Sequence, residues 1–250
     1  MARFFEDVWT VMWREWLVLR RHLGKFLFAR MITPLLYMMA FGVGLGRSVQ
    51  MSGGSYLDFV VPGIIALNSM NISFTSVGSP LNMAKLYHKT LEEYLIAPIS
   101  TGAFLSGKIL SGAVRGMLSS LIIIAVAAVF GAKLALSPVL FVLLLLNCLT
   151  FAALGVVAAL WMKSHEDMAN FNTYVLVPMS FLCGTFFRTD HLPDIVQWLV
   201  AIMPLTPASH AIRAAAAHLP LSPAWVLEQG AYLLLFFGLS TWLMEKIRRA

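Results

Sequence analysis

The sequence is poor in charge and nearly free of cysteine. Only 12% of its 250 residues are Asp, Glu, Lys or Arg and 59% are hydrophobic, whereas soluble domains run at about a quarter charged and roughly half apolar. That balance excludes an ordinary soluble fold. The two cysteines, Cys148 and Cys183, each sit inside an apolar run, which gives neither a disulfide framework nor a metal-ligand spacing and reads as two buried free thiols. The six histidines are scattered at 22, 88, 165, 191, 210 and 218, with no H-E-x-x-H pair and no nucleophile elbow. His191, Asp190 and Asp194 read as a polar outer turn. No catalytic residue, bound cofactor or metal is expected. Carboxylates are also scarce where a proton relay would need them: only Asp58 and Glu228 lie in the apolar segments, both near segment ends. Glu6, Asp7 and Glu15 interrupt the N-terminal stretch, so no cleavable signal peptide is expected.

What is present is a succession of apolar segments from residue 26 to residue 244, with no polar block long enough to fold alone. A hydrocarbon layer about 30 Å thick takes roughly 20 apolar residues per helix. Six such segments fall at about 26–46, 57–78, 103–130, 137–161, 168–187 and 223–244. The expected fold is a single all-α membrane domain over 1–250, with six transmembrane helices. The net charge of +6 fits inner loops and anionic lipid headgroups, not nucleic acid. With both termini cytoplasmic, twelve Lys and Arg fall inside, and only Arg47, Lys133, Arg188 and Arg213 fall outside. That imbalance sets the expected orientation.

Three further elements are expected outside the spans. Residues 3–22 place Phe5, Val8, Trp9, Met12, Trp16 and Leu19 on one helical face and Arg3, Glu6, Asp7, Thr10, Arg14 and Arg21 on the other, the pattern of an interfacial amphipathic helix. Glu15 falls on the apolar face and breaks the pattern. Residues 81–98 contain a short amphipathic helix ended by Pro98, with Leu91, Tyr94 and Leu95 on one face and Glu92 and Glu93 beside it. Residues 193–203 and 206–217 are too short to cross and are split by Pro204 and Pro207, so a helical hairpin over 193–217, either lying on the outer surface or re-entrant, is expected.

Within the spans the polar residues stand out, because each is costly in lipid unless it faces protein or water. Asn68, Asn71 and Thr75 recur at helical spacing in the second segment, and Asn172 and Thr173 lie near one end of the fifth. They either pack helices or line a path. In the third segment Lys108 and Arg115 share a face with Ser111 and Ser119, and Gly112-x-x-x-Gly116 offers a surface for close packing. These two cations are expected to be paired or hydrated as structural charges. Gly102 to Ile109 nearly matches G-x-x-x-x-G-K-[ST] but ends in Ile109, without the hydroxyl that Mg²⁺ requires. A nucleotide site is not expected there.

Taken together, several stretches resemble the integral-membrane subunits of ABC-2 type transporters, which include polysaccharide, nodulation-factor and drug exporters. They are Pro34 to Tyr37 with Phe41 to Gly46; Phe59 to Gly63; Thr90 to Ser100; Gly107-Lys108 with Arg115; and Phe181 to Phe187 followed by Leu192-Pro193 and Pro204 to Thr206. Two positions depart from the family pattern: Lys89 stands where glycine is common, and Arg188 where proline is. The resemblance implies a permease subunit of an ATP-driven exporter in the bacterial inner membrane. It would pair with a second copy or a paralogous permease and contact membrane lipids. A separate ATPase subunit would bind ATP and Mg. It also implies that residues 81–98 are the coupling helix, with Leu91, Glu92, Glu93, Tyr94 and Leu95 meeting the ATPase. A non-transporting membrane scaffold and an ion-coupled carrier are the alternatives. The cargo stays open among lipid-linked glycan, lipid, peptide and drug.

Overall fold

The computed structural model describes residues 2–40, 56–87, 89–132, 134–186 and 193–249. Among them the chain is helical throughout: α1 (Ala2–Arg21), α2 (Leu23–Tyr37), α3 (Tyr56–Leu86), α4 (Thr90–Ile96), α5 (Thr101–Val129), α6 (Pro138–Trp161), α7 (His165–Phe171), a π-turn (Asn172–Leu176), α8 (Val177–Leu182), α9 (Asp194–Ala201), α10 (Leu205–Ala216) and α11 (Pro223–Arg249). Local chemistry sets several of the starts. The hydroxyls of Ser100 and Ser137 accept the Ala103 and Leu140 N–H groups, and Pro138 opens α6. Ser164 and Asp167 form a reciprocal capping box at α7. α4 stops where Ala97 turns extended ahead of Pro98.

Among the described residues, five helices are long and apolar enough to cross a bilayer: residues 23–40, in which α2 runs on through a π-turn, and α3, α5, α6 and α11. The fifth expected segment, 168–187, is not one continuous helix. It is built from α7, the π-turn and α8. Pro178 has no N–H to return to residue 174, and the ladder widens just ahead of it. α9 and α10 meet at 86°, which makes them either one broken span or a re-entrant pair.

α3 is the central post. It packs chiefly against α6 and α5 and is buried on nearly all sides, whereas α2 and α11 are largely exposed. Small residues let these helices approach. A Cβ on Gly116 would run into Ser73 Oγ and Cys148 Sγ, and one on Gly112 into Val77, so the glycine pair seats α5 on α3 as its spacing implies. On another side of α3, Phe74 stacks on Phe171 with ring centroids 5.7 Å apart.

Candidate functional site

The short helix α4 stands between α3 and α5. It begins at Lys89, whose φ of 53° is left-handed, a conformation glycine adopts without strain. Leu91, at 3% exposure, joins a buried cluster with Leu81, Phe104 and Val157. The Tyr94 ring lies 4.7 Å from that of Phe104. Leu91 and Tyr94 thus hold α4 to the bundle, so Leu91 is not on the outward face where a partner would sit. Glu92 and Glu93 are exposed, and Ile96 is 86% exposed. The Leu95 side chain lies outside the described residues.

The two cations of α5 find their partner in α1, not in their own helix. Val11 of α1 packs over Gly107, where a Cβ would lie 2.7 Å from the Val11 Cβ. That approach brings Glu15 between Lys108 and Arg115. Lys108 Nζ donates to Glu15 Oε1 at 2.5 Å, and Arg115 Nη2 donates to Oε2 at 3.1 Å. Arg115 Nη1 also reaches the Ser76 carbonyl of α3 at 3.3 Å. Burial pushes the Glu15 carboxyl up, but Lys108, by charge and hydrogen bond, and then Arg115 outweigh it, and the carboxyl is held below its ordinary value. The Lys108 ammonium also stands 5.9 Å and 5.8 Å from the ring centroids of Tyr94 and Phe104, and the Arg14 guanidinium 5.3 Å from that of Tyr94. One cluster therefore joins α1, α4 and α5. α1 leaves most of its tryptophan-bearing apolar face outward. Val11 and Leu19 are buried, while Phe5, Trp9 and Trp13 are exposed.

The polar residues of the mid-bundle separate into two groups. Asn68 is only 9% exposed and donates to Ser119 Oγ at 2.6 Å. Beside it Asn147 Nδ2 donates to Ser69 Oγ at 2.7 Å and to the Ala66 carbonyl at 3.2 Å, while Gln229 Nε2 donates to Asn147 Oδ1 at 3.1 Å. These neutral bonds tie α3 to α5 and α6, and α6 to α11. Asn71 and Thr75 are partly exposed and bond within α3, Nδ2 to the Leu67 carbonyl and Oγ1 to the Asn71 carbonyl. Thr173 is exposed and bonds to the Ala169 carbonyl; Asn172 is partly buried in the π-turn. The structure does not join Asn68, Asn71, Thr75, Asn172 and Thr173 into one hydrogen-bonded group.

At the opposite end of the bundle from α4, Arg213 of α10 was legible only as an outer charge. Its Nε donates to the Phe59 carbonyl at 3.3 Å, its Nη2 donates to the Gly184 carbonyl, and its guanidinium lies 4.1 Å from the Phe59 ring centroid. Ser209 Oγ donates to the Cys183 carbonyl at 2.6 Å. Together they strap α10 to the start of α3 and to the turn after α8, which Gly184 makes with a φ of 75°. His88, Lys133, residues 41–55 and residues 187–192, including Arg188, Asp190 and His191, lie outside the described residues.

Comparison with known proteins places this arrangement in context. Residues 6–216 match the family described as ABC-2 type transporter. The chain is 30% identical over 176 residues to the protein of Escherichia coli (strain K12) named inner membrane transport permease YadH, covering 70% of this chain and 68% of that one. It is 27% identical over 209 residues to nodulation protein J of Bradyrhizobium diazoefficiens, covering 82% and 79%. Against nodulation protein J of Rhizobium leguminosarum bv. viciae it is 29% identical over 210 residues, covering 82% and 80%.

Proposed function

Because this chain belongs to the ABC-2 type transporter family, we propose that it is the permease subunit of an ATP-driven exporter in the bacterial inner membrane. Its power would come from a separate ATPase chain that binds ATP and Mg, and its transport path would form with a second permease subunit. Both termini and α4 would face the cytoplasm. The observation that carries this reading is the build of α4: a helix pinned inward by Leu91 and Tyr94 while Glu92, Glu93 and Ile96 point away from the bundle. A helix fixed to two long spans and carrying two free carboxylates suits a groove with basic residues, and a push on it reaches α3 and α5 directly.

On this reading Glu92 and Glu93 meet the ATPase, and Leu91 and Tyr94 transmit the movement. Asn71 and Thr75 are the path candidates of α3, with Asn172 and Thr173 from the broken fifth segment, while the buried Asn68 serves packing. Replacing Asn71 and Thr75 together with leucine is expected to lower transport and leave the permease pair intact in size-exclusion chromatography. Loss of the pair instead would return these residues to packing and favour a scaffold.

A further inference from the structure

We propose that α1 is part of the coupling apparatus and that Glu15 is the residue that positions it. Clamped between Lys108 and Arg115, Glu15 makes α1, α4 and the first half of α5 one rigid body, so that any displacement of α4 carries α1 with it. This rests on the reading of α4 as the element that meets the ATPase.

Three sets of contacts support the rigid body. Both Glu15 carboxylate oxygens are taken by α5, at 2.5 Å and 3.1 Å. Backbones are close where Val11 covers Gly107, a contact that a side chain at 107 would not allow. Tyr94 of α4 is held between cations of both neighbours, Arg14 from α1 and Lys108 from α5, and its ring packs on Phe104. Lys108 thus belongs to both joints at once: it binds Glu15 through its proton and faces Tyr94 through its charge. An ion pair that bridges separate elements and is mostly shielded fixes geometry more than it adds stability, because desolvation offsets much of the attraction. Fixing geometry is what transmission of a push requires.

The test uses the full chain in nanodiscs, with Cys148→Ala and Cys183→Ala to remove the native thiols. Spin labels are placed on Arg20→Cys of α1 and Ile96→Cys of α4, and in a second sample on Ile96→Cys and Glu166→Cys of α7. Residues 20, 96 and 166 are all exposed. In the permease alone, the 20–96 distance is expected to be single and narrow. Glu15→Ala broadens it, and the double change Lys108→Ala with Arg115→Ala, which removes both partners and leaves Glu15 in place, broadens it as much. A narrow distance in Glu15→Ala, or in the double change, overturns the role of Glu15. With the ATPase bound and trapped by ATP and vanadate, the 96–166 distance is expected to shift while the 20–96 distance stays constant. A shift in 20–96, or none in 96–166, overturns transmission to α1. If no ATPase binds the unaltered permease, the proposed function fails by itself, and the Glu15→Ala comparison, which needs no ATPase, still decides the positioning role.

Discussion

Two polar regions of this protein are built on different chemistry. In the mid-bundle, Asn68, Ser69, Ser119, Asn147 and Gln229 are neutral, buried and bonded to one another or to backbone across four long helices. At the α4 end, Glu15, Lys108 and Arg115 carry full charges, keep a little exposure, and join helices that differ in length and setting. The first region resembles a seam: each member's partner is another permanent span, and opening it would strand amide groups in a dry interior. The second is a joint, since it connects the bundle to α1 and α4, which stand outside it. The difference indicates that polarity inside an apolar chain need not mark a transport path, and that the charges here join α1 to α5 beside α4.

The largest effect should come from breaking the joint. Glu15→Lys puts a third cation beside Lys108 and Arg115, and loss of a shielded pair partner typically costs about 3 to 5 kcal/mol. Melting of the detergent-solubilised protein should fall clearly, and protease should cut α1 early. A milder form sets the pH dependence. The Glu15 carboxyl is held below its ordinary value of 4.5 in the folded chain, so the unfolded chain binds the proton more readily. The stabilisation is then complete above that value and is lost as pH falls through the folded one. The gap in melting temperature between the unaltered protein and Glu15→Gln should therefore close on acidification; a constant gap would mean that charge is not what Glu15 contributes.

Next comes the seam. Asn147→Leu leaves Gln229 without its acceptor, an expected loss of about 1 to 3 kcal/mol. Asn147→Leu with Gln229→Leu should recover most of it, because no buried amide is then stranded. Additive losses in thermal melts would show that the two residues act separately.

The smallest effect concerns Lys89. Its left-handed backbone stores about 1 kcal/mol of strain, which glycine would release. Lys89→Gly should raise the melting temperature slightly; a fall would mean that the lysine side chain makes up for its backbone.

Much of this architecture was legible in the sequence, since runs of about 20 apolar residues announce themselves by length. The Gly112 and Gly116 pair declared a close helix contact by spacing alone. Lys89 was visible as a departure from a family glycine, and its positive φ supplies the reason that glycine is common there. Other features were hidden because they depend on tertiary placement. Glu15 looked like a flaw in an apolar face, and Lys108 was expected to be paired or hydrated but its partner could not be named, since 93 residues separate the two. The amphipathic pattern of α1 showed a tryptophan face but not that Val11 would cover Gly107 of α5. Leu91 looked like a partner contact because periodicity gives an apolar side without saying which neighbour covers it. The interrupted fifth segment was marked by Pro178, but composition alone cannot tell a kink from a break.

The account turns on α4 as the point where a separate ATPase engages this permease. The most direct measurement is affinity purification of the full-length tagged chain from membranes of its own cells, followed by ATP hydrolysis in the eluate, for the unaltered protein and for Glu92→Lys. Disrupting one partner of a charge pair desolvated at an interface typically costs about 2 to 5 kcal/mol, so the reversed charge should weaken binding by more than about tenfold. The account predicts that both proteins reach the membrane in equal amounts and that the Glu92→Lys eluate loses nearly all ATPase activity. Equal activity in the two eluates, or none with the unaltered chain, would contradict it.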